Sequence, residues 1–276
     1  MGVRHALAKA AGRIAAVSDT ARLDAELLMG YALGLGRDAL LLSALDRSEP
    51  SGFAGLVERR LRHEPVAYIT GTRAFWTIEL EVGPGVLIPR ADSETLIEAA
   101  VAHFAGGPGP RSILDLGTGS GALLLAALDQ WLEARGIGVD MSDAALEVAG
   151  GNARRIGLGA RATVTRGDWR GSGGPHDLIL CNPPYVATGD TLPREVADWE
   201  PASALFAGAD GLDDYRAIAP VLRPQLAPGG VACVEIGSRQ AAAAGALFAA
   251  HGFDVAVVQD LGRRDRCLVL TVNLSH

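Results

Sequence analysis

Lysine is almost missing from this 276-residue chain: Lys9 stands alone, and every other basic side chain except the histidines is an arginine. That bias reads first as genome composition. With 25 basic against 32 acidic residues the net charge is −7, which argues against a broad, sequence-independent grip on nucleic acid, because such binding relies on basic surface. A local basic patch stays possible. Cysteine is scarce too. Cys181, Cys233 and Cys267 are odd in number, widely spaced and set in apolar runs, so they make neither a disulfide framework nor a zinc pattern and read as reduced core thiols. The histidines (His5, His63, His103, His176, His251 and His276) show neither H-E-x-x-H nor any other metal spacing, and none accompanies a nucleophile motif. They read as solvated or structural, and no metal is expected. No apolar run is long enough to span a membrane. The opening "MGVRHALAKAAGRIAAV" interleaves basic residues with alanine, as an amphipathic helix does and a signal peptide does not. Ala6 breaks the myristoylation pattern. A cytoplasmic protein without membrane partners is expected.

What is abundant is glycine and small aliphatics. The chain is 49% hydrophobic with only 5% aromatics, which implies many tight turns around a core of aliphatic side chains. Residues 1–64 read as helices: "DTARLDAELLMGYALGL" sets Leu23, Leu27 and Leu28 at helical spacing, with Asp19 or Thr20 as a cap. Residues 65–90 change character. "FWTIELEV" alternates apolar and polar residues between glycines and a proline, and predicts a β-hairpin linker. From 91 to 276 helices and strands alternate. "DSETLIEAAVAHFA" is a helix capped by Asp92 or Ser93, and "SILDL", "GIGVD", "ATVTRGDW", "DLILCN", "GGVACVEIG", "FDVAVVQD" and "DRCLVLTV" are strands. "GALLLAALDQWLEA" and "SDAALEVAGGNARRIG" lie between them as helices. The fold class is therefore α/β, a mainly parallel seven-stranded sheet covered on both faces, with ligands expected outside the carboxyl ends of its strands.

Two of those carboxyl ends carry chemistry. "LDLGTGSG" sets Asp115, Gly117, Thr118, Gly119, Ser120 and Gly121 where the first strand turns into its helix, so a ligand can approach bare backbone and helix-terminal amides. Asp140 closes the next strand, at the distance where an acid commonly accepts from ribose hydroxyls. The glycines fall as G-x-G-x-G and not G-x-G-x-x-G. Asp115 suits a positively charged amino-acid portion better than a pyrophosphate, which favours S-adenosylmethionine over a dinucleotide. A tight turn alone is the plainer alternative. "GDW" ends the third strand, where Asp168 can accept from an adenine amine and Trp169 can pack on the base; a capped strand end with a core tryptophan is the other reading.

The fourth strand ends in "NPPY". An asparagine carboxamide and a proline carbonyl are acceptors that can take both hydrogens of a planar NH2 group, and a stiff Pro–Pro turn would hold them. Asn182, Pro183, Pro184 and Tyr185 thus predict an acceptor site, with Tyr185 lying over the planar group and Asn182, Pro183 and Tyr185 aligning the nitrogen for methyl transfer by positioning alone. The alternative is an ordinary loop.

In this order, "DLGTGSG", Val139–Asp140, "GDW" and "NPPY" resemble class I S-adenosylmethionine-dependent methyltransferases that act on planar NH2 groups, among them adenine-N6 DNA methyltransferases. "EPVAYITGTRAFW", "LIPRADSETLIE", "EPASALFAGADGLDDYR" and "DLGRRDRCLVL" narrow the match, over nearly the whole chain, to the release factor glutamine methyltransferases of the PrmC/HemK family. The resemblance implies methylation of the glutamine side-chain nitrogen in the Gly-Gly-Gln motif of class 1 peptide chain release factors, with S-adenosylhomocysteine as product. It implies cofactor contacts at Gly117–Gly121, Asp140, Asp168–Trp169 and Asn182, and substrate contacts at Asn182–Tyr185, with Arg90 beside the acceptor pocket. It further implies a release factor docked by the helical domain, a hairpin that orients the two domains, a monomer, and no direct sequence-specific nucleic-acid binding. Ala91 and Cys181 depart from the usual proline and serine. A ribosomal-protein glutamine methyltransferase shares the acceptor chemistry and remains an alternative, as does the adenine-N6 enzyme, though no DNA-reading motif is evident.

Overall fold

Apolar residues recur every three to four positions near the N-terminus, and the computed structural model, which describes residues 2–272, turns these runs into helices: α1 (Val3–Ile14), α2 (Ala21–Leu33), α3 (Arg37–Ser43), α4 (Phe53–Leu61) and α5 (Val66–Thr70). Leu7, Ile14, Leu28, Met29, Leu40 and Phe53 meet in their shared core. Gly34 ends α2 at φ 64°, and the N–H groups of Leu35 and Gly34 donate to the carbonyls of Gly30 and Tyr31 in a Schellman motif. The expected side-chain cap of α2 does not form, because the Thr20 hydroxyl donates to Asp24 instead. Helix α5 occupies part of the stretch read as hairpin, with Pro65 at its N-cap.

The hairpin itself is β1 (Thr72–Phe75) and β2 (Ile78–Glu81). "FWTIELEV" is thus not one strand: the chain turns at Trp76, whose φ of 54° lies in the left-handed region. Helix α6 (Glu94–His103) follows, and then β3 (Ser112–Leu116), α7 (Ala122–Gln130), β4 (Arg135–Asp140), α8 (Asp143–Arg155), β5 (Ala162–Arg166) and β6 (His176–Cys181). After the short helix α9 (Arg194–Ala197) come α10 (Asp213–Leu222), β7 (Leu226–Glu235), α11 (Ala241–Ala249), β8 (Asp254–Gln259) and β9 (Asp265–Thr271). Two elements stop short of their expected ends. Trp131 leaves α7 in an extended conformation to pack edge-to-face on Phe104, its ring so close to Gly109 that a Cβ there would sit 2.5 Å away. Strand β5 ends at Arg166, with the Gly167 N–H donating the last bond of the ladder to the Asp140 carbonyl.

The chain divides into two compact units, one running to Thr72 and including Leu192–Glu200, the other comprising Arg73–Thr191 and the chain from Pro201 onward. In the second, seven strands form one sheet in the order β5-β4-β3-β6-β7-β9-β8, parallel except for the β7–β9 and β8–β9 pairs. Strand order reverses at β3, which has β4 on one side and β6 on the other, so a crevice opens at their carboxyl ends. All three cysteines are buried and unpaired. His176 is buried and hydrogen-bonded to Ser112, a structural role, while His276 lies outside the described residues. No described helix is long and apolar enough to cross a membrane.

Candidate active site

Beyond β3 the backbone turns through three glycines, Gly117, Gly119 and Gly121, at φ 71°, 55° and 86°. These conformations are costly for any residue with a Cβ, so the glycines are a geometric requirement of the loop. The N–H groups of Gly117 and Thr118 both donate to the Val139 carbonyl, at 2.8 and 3.0 Å, which pins the loop to the end of β4. Gly138 makes room for it: a Cβ there would lie 2.7 Å from Thr118 Oγ1. Asp140 finishes the arrangement, its Oδ2 accepting from Gly119 N at 2.9 Å and its Oδ1 from Ser142 N at 2.8 Å. Each oxygen keeps a lone pair, and the carboxylate lines the cavity above.

Asp115 takes a different part from the one expected. Its side chain is 1% exposed and is not among the residues lining the cavity. Oδ2 accepts from Thr118 Oγ1 at 2.6 Å and from Leu124 N at 3.2 Å, so the carboxyl braces the glycine loop from beneath. Oδ1 is buried with no partner in the protein. Burial, opposed by those two hydrogen bonds, lifts its pKa to about 7.

The cavity in the crevice measures about 500 Å³. Among the described residues that line it the charged ones are all acids, Asp140, Asp168 and Asp214, beside the loop residues Gly117, Thr118, Gly119 and Ser120. A nucleoside bearing positive charge fits this lining, whereas an anionic pyrophosphate would be repelled. Trp169 forms one wall. A Cβ on Gly117 would come within 3.3 Å of its ring, and the indole N–H donates to Asp214 Oδ1 at 3.1 Å, which fixes the ring as a platform. Burial raises the Asp214 pKa against that hydrogen bond. Asp168 is exposed at the rim, with one oxygen accepting from Arg170 N.

Asn182 leaves the end of β6 and enters the same cavity, as does Pro184. Its Nδ2 donates to Ser93 Oγ at 3.2 Å. Pro183 is buried and does not line the cavity. Tyr185 does not line it either: its hydroxyl donates to Glu235 Oε1 at 3.1 Å and its carbonyl accepts from Gln240 Nε2 at 3.0 Å, so the side chain is held on the core side of the motif. Burial raises the Tyr185 pKa well above the usual phenol value, and the charge of nearby Arg90 opposes that rise. Arg90 itself is half-buried, outside the cavity, at the start of the tight turn Ala91–Ser93.

The crevice also gathers residues that sequence reasoning did not single out as site residues: Ser93, Asp214, Phe75, Pro89, Ser203 and Ala204. Ser93 had a different expected role. It occupies the N-cap position of α6 but makes no capping bond, since its hydroxyl serves Asn182.

Comparison with known proteins agrees along the chain. Residues 5–71 match the PrmC N-terminal domain family, and residues 92–198 match the Methyltransferase small domain family. A release factor glutamine methyltransferase of Rhodospirillum rubrum is 43% identical over 255 residues, spanning 90% of this chain and 78% of its own. Another, from Moorella thermoacetica, is 39% identical and spans 98% of both chains. The solved structure of a methyltransferase from Pyrococcus furiosus, 16% identical, superposes with a TM-score of 0.55 over 79% of this chain and 98% of that one, a likeness of fold alone.

Proposed function

This chain belongs to the release factor glutamine methyltransferase family, and from that premise we propose that it methylates the side-chain nitrogen of the Gly-Gly-Gln glutamine in class 1 peptide chain release factors, using S-adenosylmethionine. One observation carries the reading: the Asn182 carboxamide and the glycine loop share a single cavity whose charged lining is acidic among the described residues. The acidic lining suits a sulfonium, the Asp140 carboxylate suits ribose hydroxyls, and Trp169 offers a face to adenine.

When bound, S-adenosylmethionine supplies an electrophilic methyl group. The chain's own residues then have to solve a nucleophile problem, because an amide nitrogen shares its lone pair with the carbonyl. Asn182 Oδ1, on the side of the carboxamide away from Ser93, can accept one N–H of the glutamine amide, while the buried Pro183 stiffens the turn that carries it. An acceptor held by a Pro–Pro turn fixes the nitrogen's direction of approach and favours a localised lone pair. Once methylated, the nitrogen is acidic enough to lose its proton to water, so no strong base is required. Tyr185 anchors the far end of the turn, its hydroxyl donating to Glu235 and its carbonyl accepting from Gln240.

The test is methyl transfer from labelled S-adenosylmethionine, with a release factor, ribosomal proteins and DNA assayed side by side. Label on the Gly-Gly-Gln glutamine is expected; label confined to DNA overturns the assignment, and label confined to ribosomal protein moves the acceptor. Asn182→Ala should lower kcat by about a hundredfold while the cofactor Kd moves by no more than about threefold. Equal losses in both would make Asn182 chiefly a cofactor ligand.

A further inference from the structure

Because Asp115 lies beneath the glycine loop and does not line the cavity, it leaves the positive amino-acid end of the cofactor without the acid expected for it. The acids that do line the cavity come from different places in the sheet: Asp140 closes β4, Asp168 follows β5, and Asp214 lies in the first turn of α10. Asp140 already accepts a backbone N–H on each oxygen, and Asp168 is exposed at the rim. Asp214 is half-buried, and its Oδ1 accepts from the Trp169 indole at 3.1 Å. The Trp169 ring reaches Gly117, where a Cβ would come within 3.3 Å of it. Gly117 in turn leaves β3 beside Asn182, because Leu116 and Cys181 pair across β3 and β6. Through the indole, Asp214 is thus tied to the part of the crevice where the glycine loop meets Asn182.

Its charge calls for a partner. None of the described residues that line the cavity is a cation. Arg216, on the same helix, is held by Asp210 and Asp213, and Arg170 stands beside Asp168. Burial disfavours the ionised form of Asp214, the indole N–H opposes that effect and the Asp213 charge adds to it; no cation enters the balance. A carboxylate taken partly out of water is costly unless a cation meets it, so this one is suited to a ligand that brings its own. The indole bond uses Oδ1, and a cationic donor can take Oδ2.

S-adenosylmethionine carries two positive groups, a sulfonium and an α-ammonium, and its sulfur joins the ribose, the methyl group and the amino-acid arm. Ribose hydroxyls at Asp140 and a methyl group presented to Asn182 leave the wall of Gly117, Trp169 and Asp214 for that arm. We propose that Asp214 is the counter-charge for the α-ammonium of the cofactor, the role expected of Asp115, and that it selects nucleosides which carry this group over those which lack it. This rests on the reading of S-adenosylmethionine as the cofactor and is independent of the acceptor. The ammonium survives methyl transfer, so Asp214 grips the cofactor and its demethylated product alike.

Calorimetric titration with three nucleosides tests this without any acceptor. S-adenosylmethionine has both charges, S-adenosylhomocysteine has the ammonium without the sulfonium, and deaminated S-adenosylhomocysteine has neither. The wild-type chain should bind S-adenosylhomocysteine about tenfold or more tighter than its deaminated form; equal affinities would overturn the proposal before any variant is made. Asp214→Asn keeps an acceptor oxygen for the indole and removes only the charge. It should weaken S-adenosylmethionine and S-adenosylhomocysteine alike, by about tenfold, and leave the deaminated nucleoside within about twofold. Loss confined to S-adenosylmethionine would set the sulfonium at Asp214, equal loss of all three would reduce Asp214 to a support for Trp169, and no loss would remove it from the site; each refutes the assignment. Asp168→Asn should leave the ratio of the two demethylated nucleosides as it is in the wild type, and a ratio that collapses there but holds in Asp214→Asn moves the role to Asp168. A wild-type chain that binds none of the three refutes the cofactor reading and this proposal with it. One that shows the expected pattern but leaves release factors unlabelled refutes the substrate reading and spares Asp214.

Discussion

Asp115 is the residue where a carboxylate's ordinary behaviour is most altered. It is buried beneath the glycine loop and half-satisfied, with Thr118 and Leu124 on one oxygen and nothing in the protein on the other. Its folded pKa, about 7, exceeds the unfolded value, so the native state binds its proton more tightly. The stabilisation linked to that proton is complete below the unfolded pKa and fades as pH rises through about 7. Glu235 carries a contribution of the same sign. Thermal stability should therefore fall between about pH 4 and pH 7, and Asp115→Asn should flatten part of that slope because its amide oxygen keeps both acceptor roles without titrating. Melting temperatures across the window measure it; at about 2–4 °C for each kcal/mol the change is visible. An Asp115→Asn protein whose melting temperature follows the wild-type curve in parallel would show that Asp115 does not titrate there.

At the scale of elements, the glycine loop and β4 are shaped to each other. Gly138 leaves the room that Thr118 occupies, and Thr118 is tied down in turn by Asp115. Gly138→Ala forces a Cβ to within 2.7 Å of Thr118 Oγ1, so the loop has to lift. The expected cost is about 1–3 kcal/mol of stability and about tenfold or more in cofactor affinity, read by calorimetric titration. Unchanged affinity would mean that the loop tolerates displacement. This partnership explains which parts of the site were legible beforehand. Alternation of apolar strands with helices, and the G-x-G-x-G spacing before Asp140, are periodic or local, so the sheet and its crevice could be read from sequence. The directions of Asp115, Tyr185 and Ser93 could not. Each turns toward a partner remote in sequence or hidden by the turn: Leu124 across the loop, Glu235 on β7, Asn182 on β6. Helix α5 and the turn at Trp76 were missed for a similar reason, since short segments carry too little periodicity to separate helix from strand.

Across the whole molecule the chain is not divided as sequence order suggests, because Leu192–Glu200 belongs to the same compact unit as the N-terminal helices. No periodicity announces this; a single guanidinium does. Arg60, 2% exposed, donates to Asp24 at 2.8 Å and to Glu195 of α9 at 2.6 Å. Its two acidic partners differ in their surroundings: the Asp24 side chain is 8% exposed and that of Glu195 is 41% exposed. Water already screens Glu195, so its pair with Arg60 contributes about 1 kcal/mol or less. Removing the buried charge of Asp24 leaves the buried guanidinium with only a solvent-screened acid and costs about 3 kcal/mol. Hydrogen exchange in the intact chain separates the two. Asp24→Asn should lower amide protection in α2 and α4 by about a hundredfold, and Glu195→Gln by less than about tenfold. Equal losses would mean that the screened carboxylate grips Arg60 as firmly as the buried one, and that α9 is an integral part of the helical unit's core rather than a cover laid over its edge.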